Sequence, residues 1–182
     1  MKIKSIKSLI IIIGCISCAT PKFTLNKTGG LNEAINNAIN DFYHSKEASK
    51  GKIYDVSYKY LENNVIGISI LDCTEEKVSI SKEIKIGSTS NYFPTRYIEM
   101  GNSLFYWHDP TMLITENIIN KLLEYNHIDS TYYYNVENYT FYSDDKTKAT
   151  HYYFCSKNLA NYIKRKSNIA LGYGILPKVK CN

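Results

Sequence analysis

An apolar stripe with helical spacing opens the body of the chain. Its members recur at intervals of three and four residues, the spacing of one face of an amphipathic helix: Leu31, Ala34, Ile35, Ala38, Ile39, Phe42 and Tyr43. His44-Ser45 and Gly51 end this pattern. The stripe predicts a helix over residues 31–43 that packs its apolar face against a sheet or another helix.

Alternating apolar positions follow and predict strands. Tyr and Val occupy every second position from 54 to 60, and Glu62-Asn63-Asn64 supplies a turn. Residues 65–71 are almost continuously apolar, which is typical of a central strand. Residues 78–86 alternate Val or Ile with Lys and Ser, and they predict a third strand.

Both patterns recur in the second half of the chain. The predicted elements are, in order, a hairpin of 96–100 and 104–107 around Gly101-Asn102-Ser103, a helix over 116–125, strands over 132–142 and 148–155, and a short helix with Leu159, Tyr162 and Ile163. Thr115 is a suitable N-cap for the longer helix, and Asn126 can end it. This order predicts an α+β fold: a mostly antiparallel sheet with two longer helices and one short helix packed on it, in a single domain over residues 31–182.

The N-terminal residues have the organisation of a secretory signal. Lys2, Lys4 and Lys7 precede a short apolar block, and the small residues Gly14 and Ser17 follow. Even counted from Leu9 to Ile16, the block has 8 residues, whereas a membrane-spanning helix needs roughly 17–25. The block is therefore expected to direct export rather than to span a bilayer.

A cysteine at the end of such a block resembles a bacterial lipoprotein signal peptide. The lipoprotein pattern is an aliphatic residue, a small or aliphatic residue, a small residue and then Cys. Ile12-Ile13-Gly14-Cys15 fits it at every position, whereas Cys15-Ile16-Ser17-Cys18 has a cysteine where the aliphatic residue is expected. Cleavage before Cys15 leaves an unusually short apolar block. We therefore expect a signal peptide over residues 1–17 and lipid on Cys18, with Cys15 as the alternative. Residues 18–30 are then the lipidated cysteine and a tether.

The resemblance to lipoproteins implies acyl chains on the chosen cysteine. Such chains hold a protein on a membrane without a spanning helix. We therefore expect a lipid-anchored protein of the bacterial cell envelope, on the periplasmic or the cell-surface side. An uncleaved short anchor and a secreted soluble protein are the alternatives.

The charge of the chain depends on this leader. The full sequence has 22 basic and 17 acidic residues and a net charge of +5, and three of the lysines lie in the leader. The remainder is close to neutral. Proteins that bind nucleic acid concentrate basic residues on one face, so we do not expect a nucleic-acid partner.

Three of the five cysteines remain if the leader is removed and Cys18 is lipidated. One disulfide and one buried thiol is the simplest arrangement for an odd number. We expect Cys155 to pair with Cys181, because Cys181 lies on an otherwise untethered C-terminal tail. Cys73 follows an apolar strand and is expected in the core.

Catalytic motifs are absent, and the histidines lie on separate predicted elements, so we expect no cofactor and no metal site. His151 and Cys155 lie four apart on one predicted strand, about 13 Å from each other, which excludes a Cys–His nucleophile.

Trp107-His108-Asp109-Pro110 is the most unusual tetrapeptide. His108 beside Asp109 can act as a base or metal ligand, whereas the structural alternative has Trp107 capping the core and Asp109-Pro110 forming a turn.

Aromatic residues crowd the two late strands, and alternation turns some of them outward. Outward tyrosines can form a binding surface, because they combine apolar area with a hydroxyl. The candidate surface residues are Trp107, His108, Tyr132, Tyr134, Tyr142 and Tyr152. We therefore predict a non-catalytic module that binds a protein partner. The alternatives are an envelope enzyme acting on glycan or cell wall through His108 and Asp109, and a structural spacer.

Overall fold

The computed structural model describes residues 29–46, 48, 52–74, 84–128 and 149–167, together with 177, 179 and 181. The leader with Cys15 and Cys18, the tether up to residue 28 and the predicted strand over 132–142 lie outside these residues. So does most of the predicted strand over 78–86; its described end, residues 84–86, is a loop and turn.

Two helices and six strands make up the described part of the chain. In chain order they are α1 (Gly29–His44), β1 (Ile53–Leu61), β2 (Val65–Asp72), β3 (Arg96–Met100), β4 (Ser103–Trp107), α2 (Glu116–Glu124), β5 (Ala149–Cys155) and β6 (Asn158–Ser167). The strands form one sheet in the order β3-β4-β1-β2-β5-β6. The predicted α+β class, both longer helices and the hairpin around Gly101 are confirmed.

The sheet is mixed rather than wholly antiparallel. Four of its neighbouring pairs are antiparallel, and β1 pairs with β4 in parallel, with Tyr54 opposite Phe105. The β3–β4 hairpin therefore attaches beside β1 instead of extending the meander. As predicted, β2 is central: it pairs with β1 on one side and β5 on the other.

The predicted short helix around Leu159, Tyr162 and Ile163 is wrong, because these residues belong to strand β6. A turn at Ser156-Lys157 returns the chain antiparallel to β5, so that Tyr153 lies opposite Ile163. The three apolar residues span little more than one helical turn, a length over which apolar spacing cannot distinguish helix from strand. Pairing with β5 decides the outcome.

The helices cover opposite faces of the sheet. On the face that we call the α1 face, Ile35, Ile39 and Phe42 of α1 pack in one core cluster with Ile68 and Phe154 of the sheet. On the α2 face, the apolar residues of α2 pack with Ile53, Leu104 and Tyr106. Because side chains alternate along a strand, β1, β3 and β4 contribute to both cores, whereas β2, β5 and β6 contribute only to the core under α1.

Helix α2 ends in a Schellman motif. Asn126 has φ 52°, and its N–H donates to the carbonyl of Leu123 at 2.9 Å, while the N–H of His127 donates to the carbonyl of Leu122 at 2.8 Å. The predicted stop at Asn126 is thus confirmed. Thr115 has the extended N-cap backbone, but its hydroxyl makes no capping hydrogen bond.

A disulfide joins Cys155 at the end of β5 to Cys181, the pair that the sequence favours. Cys73 is a buried thiol in a small cluster with Leu71 and Ala149. Neither helix of the described part is long and apolar enough to cross a bilayer.

Candidate functional site

A groove of about 610 Å³ lies between α1 and the beginning of β6. The polar residues of α1 that line it recur at helical spacing beside the apolar stripe: Glu33, Asn37, Asn40, Asp41 and His44. The edge strand contributes Leu159 and Tyr162. The same helix thus buries one face in the core and presents a second, polar face to the groove.

Asp41 joins α1 to the two strands beneath it. Its carboxylate accepts hydrogen bonds from the hydroxyls of Tyr152, at 2.8 Å, and Tyr162, and from Nζ of Lys164 at 2.8 Å. Burial alone raises the pKa of this carboxyl, but the bonds from Lys164, Tyr162 and Tyr152 outweigh it and hold the pKa below its usual value. Asp41 is therefore an ionised structural anchor at one wall of the groove.

Two further hydrogen bonds hold side chains that line the groove. Nδ2 of Asn37 donates to the carbonyl of Leu159 at 3.1 Å, and Nδ1 of His44 lies 2.8 Å from the carbonyl of Asn40. The side chains of Glu33 and Asn40 are exposed. The arrangement offers a carboxylate, an amide and a tyrosine ring to a polar partner surface.

Two of the predicted surface aromatics lie in the core instead. Trp107 is 4% exposed and Tyr152 is 0% exposed, and both belong to the cluster under α1. Alternation does place side chains on both faces of β4 and β5, but both faces of these strands are covered, so neither ring is available to a partner. Tyr132, Tyr134 and Tyr142 lie outside the described residues.

His108 and Asp109 have separate structural partners. Nε2 of His108 lies 2.7 Å from the carbonyl of Ser90, and the Asp109 carboxylate accepts from Nε of Arg96 at 2.8 Å and from the hydroxyl and N–H of Thr111. Burial alone raises the pKa of Asp109, but the hydrogen bonds from Thr111 and Arg96 hold it below its usual value. These contacts fit the structural interpretation, a turn that ties the end of β4 to β3.

His151 lies on the α2 face, where sequence reasoning identified no partner for it. Its Nδ1 is 2.6 Å from Oγ of Ser69 on β2, and its Nε2 is 2.6 Å from Oγ of Ser167 on β6. Cys155 is in the disulfide, which agrees with its exclusion as a partner of His151. No local motif could reveal this arrangement, because it combines three strands that are distant in the sequence.

Across the described residues, no three His, Cys, Asp or Glu side chains lie together as metal ligands. Comparison of the chain with known protein families, with curated proteins and with solved structures finds no match. The geometry of the chain itself is therefore the basis for interpreting its function.

Proposed function

We propose that this protein is a lipid-anchored component of the bacterial cell envelope that binds a partner protein through the groove between α1 and β6. The anchor is inferred from the leader, in which a charged start and a short apolar block end at Cys15 and Cys18. The binding role is carried by one observation: α1 keeps a continuous polar face open beside an edge strand of the described sheet.

The lining of the groove favours a protein over a small molecule. Pockets for small ligands are lined predominantly by apolar and aromatic side chains. Here the helical wall is polar, and the Tyr162 ring, 36% exposed, supplies aromatic area at one end. Protein interfaces combine a polar rim with tyrosine in this way.

The network around Asp41 also suits recognition. It holds the hydroxyl of Tyr162 and the amine of Lys164, so the tyrosine ring is fixed before a partner arrives. Ordering a side chain at an interface costs about 0.5–1.5 kcal/mol. A prefixed ring avoids this cost and leaves more of the contact energy for affinity.

Site-specific crosslinking tests the groove. A photoreactive amino acid replaces the exposed Asn40 in the full-length chain in its native envelope, and the matched control replaces Glu116, which is exposed at the start of α2 on the opposite face. We expect a discrete protein adduct from position 40 and none from position 116. Glu33→Lys, which reverses an exposed charge in the groove, should weaken that adduct without lowering the melting temperature. No adduct at position 40, or equal adducts at both positions, contradicts a binding groove.

Metabolic labelling with an alkyne fatty acid tests the anchor. If Cys18 carries the lipid, Cys18→Ala loses the label and leaves the membrane fraction, whereas Cys15→Ala remains labelled. The reverse result assigns the lipid to Cys15. A wild-type chain that takes up no label refutes the anchor, and it leaves the crosslinking result at the groove unaffected.

A further inference from the structure

Three side chains form a line of hydrogen bonds across neighbouring strands on the α2 face. Ser69 lies directly opposite His151 in the β2–β5 register, and Ser167 closes β6 next to β5. Oγ of Ser69 and Oγ of Ser167 contact the two different ring nitrogens of His151, each at 2.6 Å. The imidazole is therefore held between two hydroxyls, one on each side.

Burial decreases along this line. Ser69 is 0% exposed and His151 is 4% exposed, while Ser167 is only partly buried at the end of its strand. An activated serine needs a base at Nε2, a third group that orients the base through Nδ1, and access for the substrate at the nucleophile alone. Ser69 contacts Nδ1 and Ser167 contacts Nε2, and only Ser167 is partly exposed, so both the contacts and the burial match this requirement.

We propose that Ser167 is a nucleophile for carboxylic esters, with His151 as its general base and Ser69 as a positioning residue. The hydroxyl proton of Ser167 passes to Nε2 of His151 as Oγ attacks the ester carbonyl. The leaving alcohol takes this proton, and water then hydrolyses the acyl-serine by the reverse proton path. The reaction consumes the ester and one water and needs no metal, cofactor or oxidant.

Arg165 supplies a positive charge beside the same site. It lies opposite His151 in the β5–β6 register and two residues before Ser167, so alternation places it on the α2 face with both. Its side chain is exposed. A guanidinium there can stabilise the negative charge that develops on the carbonyl oxygen or recognise an anionic group of the ester.

This proposal does not depend on the groove. The groove lies on the α1 face, and the Ser69–His151–Ser167 line lies on the other face of the sheet. The competing explanation is purely structural: two hydroxyls satisfy a buried imidazole without making either oxygen reactive. Reactivity of Ser167, rather than stability, separates the two explanations.

A fluorophosphonate probe measures that reactivity, since a serine nucleophile forms a P–O bond and releases fluoride and a proton. The full-length chain in detergent is labelled and the modified residue is located by peptide mass spectrometry. We expect label on Ser167, none in Ser167→Ala, and a rate lowered about 10²–10⁴-fold in His151→Gln, the range of general-base catalysis. Ser88→Ala is the control. Ser88 lies in a loop, and its hydroxyl donates a hydrogen bond to the backbone carbonyl of Lys85.

Further readouts keep the test decisive. Ser69→Ala should slow labelling and Ser69→Thr, which keeps the hydroxyl, should restore part of the rate, with melting temperatures recorded for each. The wild-type rate should fall in acid as the imidazole takes up a proton. If His151→Gln does not fold, the pH dependence of the wild-type labelling rate and the comparison of Ser69→Ala with Ser69→Thr decide the test. Absence of label from Ser167, or a labelling rate that is independent of pH and of Ser69, overturns the proposal.

Discussion

Backbone positions with positive φ are filled by the residues that tolerate them. Asn63 and Asn64 form the turn between β1 and β2 at φ 58° and 59°, and Asn126 ends α2 at φ 52°. Gly101, at φ 60°, begins the turn between β3 and β4. Asparagine and glycine are favoured in this region, because bulkier side chains clash with the backbone there. The abundant asparagines of this sequence thus have a specific structural role at three positions.

Gly101 has a second constraint that can be measured. A Cβ at this position would lie 2.4 Å from the hydroxyl oxygen of Tyr43, whereas a Cβ at Gly87, φ 82°, would meet nothing within 4 Å. We expect Gly87→Ala to lower the free energy of unfolding by about 1 kcal/mol and Gly101→Ala by about 2 kcal/mol. In a Tyr43→Phe background the cost of Gly101→Ala should fall to that of Gly87→Ala. Equal costs in both Tyr43 backgrounds, measured by urea denaturation, would show that the contact with Tyr43 does not matter.

His127 makes stability depend on pH. It is 1% exposed, and burial lowers its pKa to about 4. Its pKa in the unfolded chain is about 6.5. The unfolded chain therefore binds more protons between these values, so the contribution of neutral His127 is complete above pH 6.5 and is lost as the pH falls towards 4. The expected loss is about 3 kcal/mol.

Urea denaturation between pH 4 and 8 checks this expectation. His127→Phe should flatten the acid limb of the stability curve, even if the variant is less stable overall. His44→Gln serves as the control, because His44 is exposed, and it should leave the limb unchanged. An acid limb that persists in His127→Phe would assign the pH dependence to other groups.

At the scale of elements, local patterns were sufficient where the determining contacts are local. The stripe of α1, the end of α2 at Asn126 and the hairpin around Gly101 are all set within a few residues, and the structure matches them. The spacing of Leu159, Tyr162 and Ile163 wrongly predicts a helix, because the identity of β6 depends on its pairing with β5. The parallel pairing of β1 with β4, the groove and the contacts of His151 join distant segments in the same way. Sequence spacing does not encode such contacts, so these parts of the candidate sites could not be predicted.

Asp41 is the main polar link between α1 and the edge strand β6. Asp41→Asn removes the charge that the hydroxyls of Tyr152 and Tyr162 and the amine of Lys164 contact, and we expect a loss of about 2 kcal/mol in the free energy of unfolding. Because its folded pKa is lowered, the contribution of Asp41 is complete above about pH 4, and it is lost as the pH falls further. The difference between wild type and Asp41→Asn should therefore shrink in stronger acid.

The surface pair of Lys121 and Glu124 provides the control for Asp41. Their side chains are in contact at 2.7 Å, but Glu124 is 61% exposed, and solvent screening leaves such exposed pairs with little effect on stability. Glu124→Gln should therefore leave stability almost unchanged. A loss in Asp41→Asn no larger than in Glu124→Gln would mean that the network does not hold α1 to the sheet.

At the scale of the whole molecule, the disulfide agrees with the export that we propose from the N-terminal sequence. Cys155 and Cys181 are joined across 26 positions of sequence, so the bond ties the end of the chain to strand β5. Disulfides persist in oxidising compartments and are rare in the cytosol. An exported chain is therefore expected to carry this bond, whereas a chain kept in the cytosol is expected to have both thiols reduced.

Counting free thiols on the mature protein joins these expectations in one measurement. The chain is taken from its native envelope, unfolded without reductant and treated with a polyethylene-glycol maleimide, so that each free thiol adds one gel shift. With the disulfide intact and lipid on Cys18, only Cys73 remains free, and we expect a single shift. Lipid on Cys15 leaves Cys18 free as well and gives two shifts, and an uncleaved, unlipidated leader gives three. Reduction should add two shifts in every case, because it releases Cys155 and Cys181. Before reduction, a Cys181→Ser chain should show one shift more than the wild type, and reduction should add no further shift to it. If it instead shows one shift fewer than the wild type before reduction, the disulfide does not form in the envelope.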